Sequence, residues 1–143
     1  MPIRVKRMNL YKLDFYDLEL SYDDYKEGFS IGIFSTFEKA EQTAEYYIRN
    51  VNGFKDYSCE YEITAKNTVG TADETLKEVY MIEGWNVNEN LDEIDIIESD
   101  CFTDKNSAES ELEEMKRKYN RCEWALNQYT IDKCEWTEGF VRM

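Results

Sequence analysis

The chain carries one pattern twice. When residues 11–63 are shifted by about 68 positions, they fall on residues 80–131 with matching side chains. Only two copies are visible, whereas an open-ended solenoid needs at least about three. We therefore predict an internal duplication, with a first repeat at 1–70 and a second at 71–143 that form one compact unit. The matched pairs are Phe34 with Phe102, Ser35 with Thr103, Ala40 with Ala108, Glu41 with Glu109, Tyr61 with Tyr129 and Ile63 with Ile131.

The strands of the first copy are predicted from alternation. Residues 10–15 and 29–34 alternate apolar with polar or small side chains, the period of a half-buried strand. A polar, tyrosine-rich loop at 17–28 is expected between them. Residues 59–63 alternate in the same way and predict a third strand. A helix occupies the space before that strand, so the copy is expected to be β-β-α-β.

That helix has recognisable ends. Ser35 and Glu38 have the spacing of a capping box, in which a hydroxyl and a carboxylate satisfy the first backbone N–H groups. Apolar residues then recur at helical spacing, giving one stripe that can face a sheet. Asn52 and Gly53 are expected to stop the helix, because glycine adopts the left-handed cap conformation at little cost.

The second copy repeats the plan after a linker at 64–77. We expect strands at 79–85 and 94–102, a helix from about Lys105, and a last strand at 124–131. The predicted class is α+β, with antiparallel or mixed sheets, helices on one face, and pseudo-twofold symmetry.

Net charge restricts the partners. The chain has 31 acidic and 17 basic residues, a formal charge of −14. Such a chain repels polyanions, so we expect no direct binding to nucleic acid or to an anionic membrane. No run approaches the roughly 20 apolar residues that span a bilayer, so the expected location is the cytoplasm. The oligomeric state does not follow from the sequence.

The cysteines do not indicate a metal site. Cys59, Cys101, Cys122 and Cys134 form no CxxC pair, and the chain has no histidine. Thiols are favoured over a disulfide framework, with two bridges as the alternative.

Catalysis has little support in the residue types present. Without histidine, the commonest general base and every Ser-His or Cys-His arrangement are missing. No GxxxxGKS, GxGxxG or HExxH pattern occurs. We predict a protein that is not an enzyme, with no catalytic residue, no cofactor and no metal.

An acidic stretch is the first candidate binding feature. Residues 83–114 contain twelve carboxylates and the single cation Lys105. Self-repulsion of this size costs stability, so a basic partner is one reason to retain it, and solubility alone is the other. A DNA mimic is a further alternative, since carboxylates two apart on a strand are spaced at about 6.6–7 Å. The candidate residues are Asp92, Glu93, Asp95, Glu98 and Asp100.

Tyrosines beside acids are the second candidate feature. Tyr16, Tyr22 and Tyr25 lie in the predicted loop with Asp23 and Asp24. Loop tyrosines are typical interface anchors because they offer a large area at low entropy cost. The alternative is that these rings pack over their own sheet.

Two strings of the sequence resemble a small uncharacterised bacterial and phage domain family. Residues 31–57 read IGIFSTFEKAEQTAEYYIRNVNGFKDY, and residues 131–143 read IDKCEWTEGFVRM. Members of the family have an IG(V/I)YSS strand, an EKAEEAI-type helix, a PGFRDY turn and a closing strand with a DKDxWTEGF signature. The resemblance supports the fold and carries over no activity.

The family's hallmarks are divided between the copies. The first keeps the turn, at residues 53–57, and has residues 65–70 where the terminal signature should stand. The second lacks the turn and keeps the signature, so a site made by both is expected between the copies. Of the signature, Trp136 and Phe140 are expected to close the core. The signature residues are Trp136, Thr137, Glu138, Gly139 and Phe140.

The prediction that best unites these features is a non-enzymatic, acidic interaction protein of the inhibitor or immunity type, which binds a basic protein. The first alternative is a binder of small ligands or nucleotides, with a pocket between the repeats lined by Trp85, Trp136 or the tyrosines. The second is the DNA mimic.

Overall fold

The computed structural model describes residues 9–22, 25–73, 75–87, 94–120 and 122–136. The α+β class is confirmed, because these residues form two helices and seven strands, with both antiparallel and parallel pairs. In chain order the elements are β1 (Asn9–Tyr22), β2 (Tyr25–Phe34), α1 (Phe37–Asn50), β3 (Cys59–Val69), β4 (Glu78–Val87), β5 (Ile94–Glu98), β6 (Cys101–Phe102), α2 (Lys105–Lys118) and β7 (Cys122–Thr130).

Contacts between residues divide the chain into two compact units. The first unit contains Asn9–Lys66 and also residues 131–136, which we call the C-terminal segment. The second unit is Asn67–Thr130. The units differ from the predicted repeats at 1–70 and 71–143 chiefly because the C-terminal segment bonds to β2 of the first unit. As sequence units, the repeats stay a prediction.

Strand β1 lies in the middle of the first unit, between β2 and β3. It pairs antiparallel with β2 as far as Tyr22, which stands opposite Tyr25. The predicted loop at 17–28 is therefore wrong, because both strands continue into a long hairpin. The period of a strand persists there in the sequence, since Leu18, Leu20 and Tyr22 occupy every second position.

Helix α1 packs its apolar stripe on this sheet. Ala40, Ala44 and Tyr47 are buried together with Phe15 and Phe54 in one cluster. The Phe15 ring lies 5.0 Å from Phe54 edge to face and 6.0 Å from Tyr47. Such aromatic pairs contribute about 0.5–1.5 kcal/mol beyond the area they bury. The cluster therefore ties the turn after the helix to the sheet.

Both ends of α1 differ from the prediction. The N-cap is Thr36, whose hydroxyl accepts a hydrogen bond from the Lys39 backbone N–H at 3.1 Å. The capping box of Ser35 and Glu38 is thus wrong, because the Ser35 hydroxyl bonds a carboxylate far along the chain. The predicted stop at Gly53 is wrong, because the helix ends at Asn50 with the extended residue Val51 as its C-cap; Gly53 has a φ of 87° in the turn that follows.

Strand β4 is the middle strand of the second unit. It pairs with β7 over most of its length on one side and with β5 and β6 on the other. The predicted strand at 94–102 is interrupted between β5 and β6. There the Ser99 N–H donates to the Ile82 carbonyl at 2.9 Å, and the Ser99 hydroxyl accepts from the Ile82 N–H at 2.8 Å.

Helix α2 begins at Lys105 as predicted, capped by the Asp104 carboxylate, which accepts from the Ser107 N–H at 3.0 Å. Ala108 is its only fully buried side chain among those described, and Leu112 is half-buried against the same cluster. Among the described residues, this cluster has fewer buried side chains than the cluster under α1.

Strand β3 is longer than predicted. It continues through Val69 and pairs in parallel with β6, so that Thr68 stands opposite Cys101. The predicted linker at 64–77 therefore begins only at Gly70. Gly70 has a φ of 113°, and a Cβ there would lie 2.3 Å from the Thr103 hydroxyl, so only glycine fits.

Candidate functional site

The C-terminal segment extends the hydrogen bonding of the first unit beyond β2. The Asp132 N–H donates to the Ile33 carbonyl at 2.8 Å, and the Glu135 N–H donates to the Ile31 carbonyl at 2.6 Å. Gly32 permits this close approach, because a Cβ at that position would lie 2.5 Å from the Lys133 carbonyl oxygen. The segment is thus fitted to a strand about a hundred residues earlier in the chain.

The Asp132 carboxylate fixes the start of this segment. Its Oδ1 accepts from the Ser35 N–H at 2.8 Å, and its Oδ2 accepts from the Ser35 hydroxyl at 2.7 Å and the Lys39 ammonium at 3.1 Å. Partial burial, the largest influence, acts to raise the pKa of Asp132, but the bonds from Ser35 and Lys39 together lower it below its ordinary value. The carboxylate is therefore ionised at neutral pH.

The far end of the segment rests on aromatic rings. The Tyr47 hydroxyl donates to the Trp136 carbonyl, and the Trp136 ring lies 5.1 Å from Phe29 edge to face. Phe29 also contacts Phe54 of the turn at 53–57, at 5.5 Å. The turn and the described part of the terminal signature therefore meet inside the first unit. These residues belong to different predicted repeats, and a site formed by the two hallmarks stays a prediction.

A groove runs between α1 and the C-terminal segment, and we call it the α1 groove. Its volume is about 720 Å³, within the range of about 300–1,000 Å³ usual for small-molecule sites. Lys39, Thr43 and Tyr46 line it from the helix, and Asp132 and Cys134 line it from the segment. One wall therefore depends on the C-terminal segment being in place.

The base of the α1 groove is apolar. Phe34 and Tyr47 are buried, and Val51 is half-buried. Burial, followed by a hydrogen bond with the Cys134 thiol, raises the pKa of Tyr47 well above its ordinary value. Tyr47 is thus a neutral phenol over the whole physiological range.

The opposite flank of α1 is acidic. Glu41 and Glu45 are exposed and lie one helical turn apart, near Tyr61 of β3. Burial first, and then the charges of Glu45 and Glu41, raise the pKa of Tyr61. Arg49 lies 3.8 Å from Glu45 and forms an exposed ion pair with it. We call Glu41, Glu45 and Tyr61 the acidic flank.

Helix α2 also carries exposed ion pairs. Lys105 lies 4.0 Å from Glu109, and Lys116 lies 3.6 Å from Glu113. The predicted acidic stretch at 83–114 ends just before three consecutive basic residues at 116–118. The helical part of that stretch is therefore largely compensated.

The predicted tyrosine and aspartate residues of the first copy are placed only in part. Tyr16 is half-buried on β1, and the backbones of Tyr22 and Tyr25 pair at the end of the hairpin. Asp23 and Asp24 lie outside the described residues.

The predicted acidic residues of the second copy lie on or beside β5. Asp95 stands opposite Asn86, and Glu98 stands opposite Glu83. Asp100 is exposed, and its carboxylate accepts from the Asn67 N–H at 3.2 Å. Asp92 and Glu93 lie outside the described residues.

The tryptophans have partly different roles from those predicted. Trp136 does not close the core completely, because 39% of it is exposed while its ring contacts Phe29. Trp85 is half-buried, and its indole N–H donates to the Glu123 carboxylate at 3.0 Å. The remaining signature residues, Thr137, Glu138, Gly139 and Phe140, lie outside the described part of the chain.

Two further features bear on the chemistry. Within the part of the chain that the structure describes, no group of three or more cysteine, aspartate or glutamate side chains is placed to hold a metal ion. All four cysteines belong to that part, and they are thiols, not disulfides. Neither α1 nor α2 has the length and apolar character of a membrane-spanning helix.

No family model, no curated protein and no solved structure matches the chain. Membership of the family suggested by its sequence motifs stays a prediction.

Proposed function

We propose that this protein is a non-enzymatic binding protein that recognises a basic protein partner through the acidic flank of α1. The observation that carries this proposal is the exposed pair Glu41 and Glu45 beside the Tyr61 ring. Carboxylates one helical turn apart are about 5–6 Å from each other at their Cβ atoms, so a single lysine or arginine can approach both. The tyrosine adds apolar area to the same surface.

The net charge of −14 supports the same partner class. A field of one sign accelerates encounter with a cationic surface and disfavours anionic competitors. The thiol state of the cysteines is compatible with the cytoplasm as the proposed compartment. An inhibitor or immunity-type role, in which the acidic flank covers a basic functional surface, is the form of binding we propose.

We also propose that the two units descend from one duplicated β-β-α-β unit and have diverged in charge. In each unit the first strand lies in the middle of its sheet. Glu109 and Glu113 of α2 occupy the positions equivalent to Glu41 and Glu45. Each of the two has a lysine within 4.0 Å, and Glu45 has Arg49 at 3.8 Å. The two helices differ in their last turn, where α2 has three consecutive basic residues at 116–118 and α1 has Arg49.

The test is capture of partners from a lysate of the native host with paired charge reversals. Glu41→Lys with Glu45→Lys is expected to abolish capture of a basic protein. The matched control, Glu109→Lys with Glu113→Lys, changes net charge equally and is expected to retain capture. Binding of the unaltered protein should also weaken steeply with salt, because exposed charges are screened over about 8–10 Å at 0.1–0.15 M.

Two results would contradict the proposal. Equal loss of capture in both double variants would show that bulk charge, and not the acidic flank, is recognised. Capture that is insensitive to salt would exclude an electrostatic surface as the main contact.

A further inference from the structure

The α1 groove has a polar end and an apolar end, separated by two turns of helix. Lys39 and Tyr46 both line it, seven positions apart on α1. At a rise of about 1.5 Å per residue, these side chains start about 10 Å apart along the helix. Gln42 and Thr43 line the groove between them. A ligand that contacts both ends must therefore be about 10 Å long.

The polar end retains hydrogen-bonding capacity. The Lys39 ammonium has three N–H donors, and two of them serve Asp132 and the Ser35 hydroxyl, at 3.1 and 3.2 Å. The Gln42 amide is exposed one turn further along the helix. The Thr43 hydroxyl donates to the Lys39 carbonyl, which leaves its oxygen as an acceptor. Two donors in adjacent turns, an ammonium and an amide, match the two oxygens of a carboxylate.

The apolar end offers aromatic area. Tyr46 is 60% exposed, although its neighbours on the inner face of α1 are buried. Its ring lies 6.4 Å from the Tyr47 ring, and Val51 continues the apolar surface beyond it. A planar aromatic ring could pack against Tyr46 in the offset-stacked or edge-to-face arrangement that aromatic pairs favour.

We propose that the α1 groove binds a small monocarboxylate with a planar aromatic body, with the carboxylate at Lys39 and Gln42 and the ring at Tyr46 and Val51. A dianionic phosphate fits less well, because one remaining ammonium donor faces it and the Asp132 carboxylate at the same end of the groove repels two negative charges more strongly than one. A wholly apolar ligand would leave the Lys39 and Gln42 donors covered without a partner. This site is on the other flank of α1 from the acidic flank and does not depend on it.

The experiment is a titration of the isotope-labelled protein with three probes, 4-hydroxyphenylacetate, indole-3-acetate and benzoate, followed by backbone amide NMR. Binding of at least one probe should give saturable shifts on α1 between Lys39 and Val51 and in the C-terminal segment. The uncharged amide of the same probe should bind about tenfold more weakly, as expected for loss of one charge-assisted contact.

Matched variants separate this site from unspecific adsorption. Tyr46→Ala removes an exposed ring and should weaken binding about tenfold without changing the spectrum elsewhere. Phe37→Ala is the control, since Phe37 is a 46% exposed ring on α1 that does not line the groove. It should leave binding unchanged. The proposal is overturned if no probe gives saturable shifts, if the shifts lie outside the groove, or if both variants bind like the unaltered protein.

Discussion

Replacing Asp132 with alanine should release the C-terminal segment from the first unit. The substitution removes a carboxylate that accepts two hydrogen bonds from Ser35 and one from Lys39. The two serine bonds contribute about 1 kcal/mol each. The lysine bond contributes about 0.5 kcal/mol, because both side chains are partly exposed. Residue 132 also has a φ of 66°, where alanine costs a further ~1 kcal/mol.

The expected loss for the alanine variant is thus about 3.5 kcal/mol of local stability, or roughly a 300-fold increase in segment opening. Asp132→Asn keeps an acceptor and a residue type that tolerates positive φ, so its loss should be about 1 kcal/mol. Amide hydrogen exchange reports the opening directly, since the N–H groups of residues 132 and 135 bond to β2.

The control for this experiment is Asp73→Ala. Asp73 is an exposed carboxylate of the second unit whose bonds are to Thr75. Its loss should leave exchange at Glu135 unchanged. If Glu135 exchanges at the same rate in the Asp132→Ala protein as in the unaltered protein, then the carboxylate does not hold the segment and the reasoning is refuted.

Three other outcomes are expected. Gly32→Ala should destabilise the first unit by about 1–3 kcal/mol in urea unfolding, because its Cβ would strike the Lys133 carbonyl and displace the segment; an unchanged midpoint would contradict this. Tyr47→Phe should cost about 1 kcal/mol in the same assay through loss of the bond to the Trp136 carbonyl, whereas Tyr46→Phe should cost nothing. Asp132 has a lowered pKa, so its stabilisation is complete above the unfolded value of about 3.9 and is lost as pH falls through the lower folded value. Segment exchange in acid should show this loss, and Asp132→Asn should abolish that pH dependence.

Local periodicity was sufficient to predict the elements with regular apolar patterns. The start of α2 at Lys105 agrees with the structure. The acidic, tyrosine-rich composition of residues 17–28 predicts a loop, whereas their alternation predicts strands. The structure has a hairpin there. Composition and period gave opposite answers there, and period was right.

The candidate site could not be predicted in the same way. Ser35 and Asp132 are 97 positions apart, and no local sequence motif connects them. Ser35 was instead assigned to the helix cap, the common role of a serine before a helix, which Thr36 performs. The sequence also does not show which of the two adjacent tyrosines is exposed. In the structure Tyr46 is exposed and Tyr47 is buried. Contacts between side chains that are distant in the sequence can be identified only from the three-dimensional structure.

The membership of the C-terminal segment in the first unit has a consequence for synthesis. A chain emerges from the ribosome from its N-terminus, and domains generally begin to fold in that order. Here Asn67–Thr130 is inserted between the two parts of the first unit. The second unit can therefore complete its contacts before residues 131–136 of the first unit have been synthesised. The unit whose synthesis begins earlier is therefore completed later, and until then the Ile31 and Ile33 carbonyls lack the donors that they have in the folded unit.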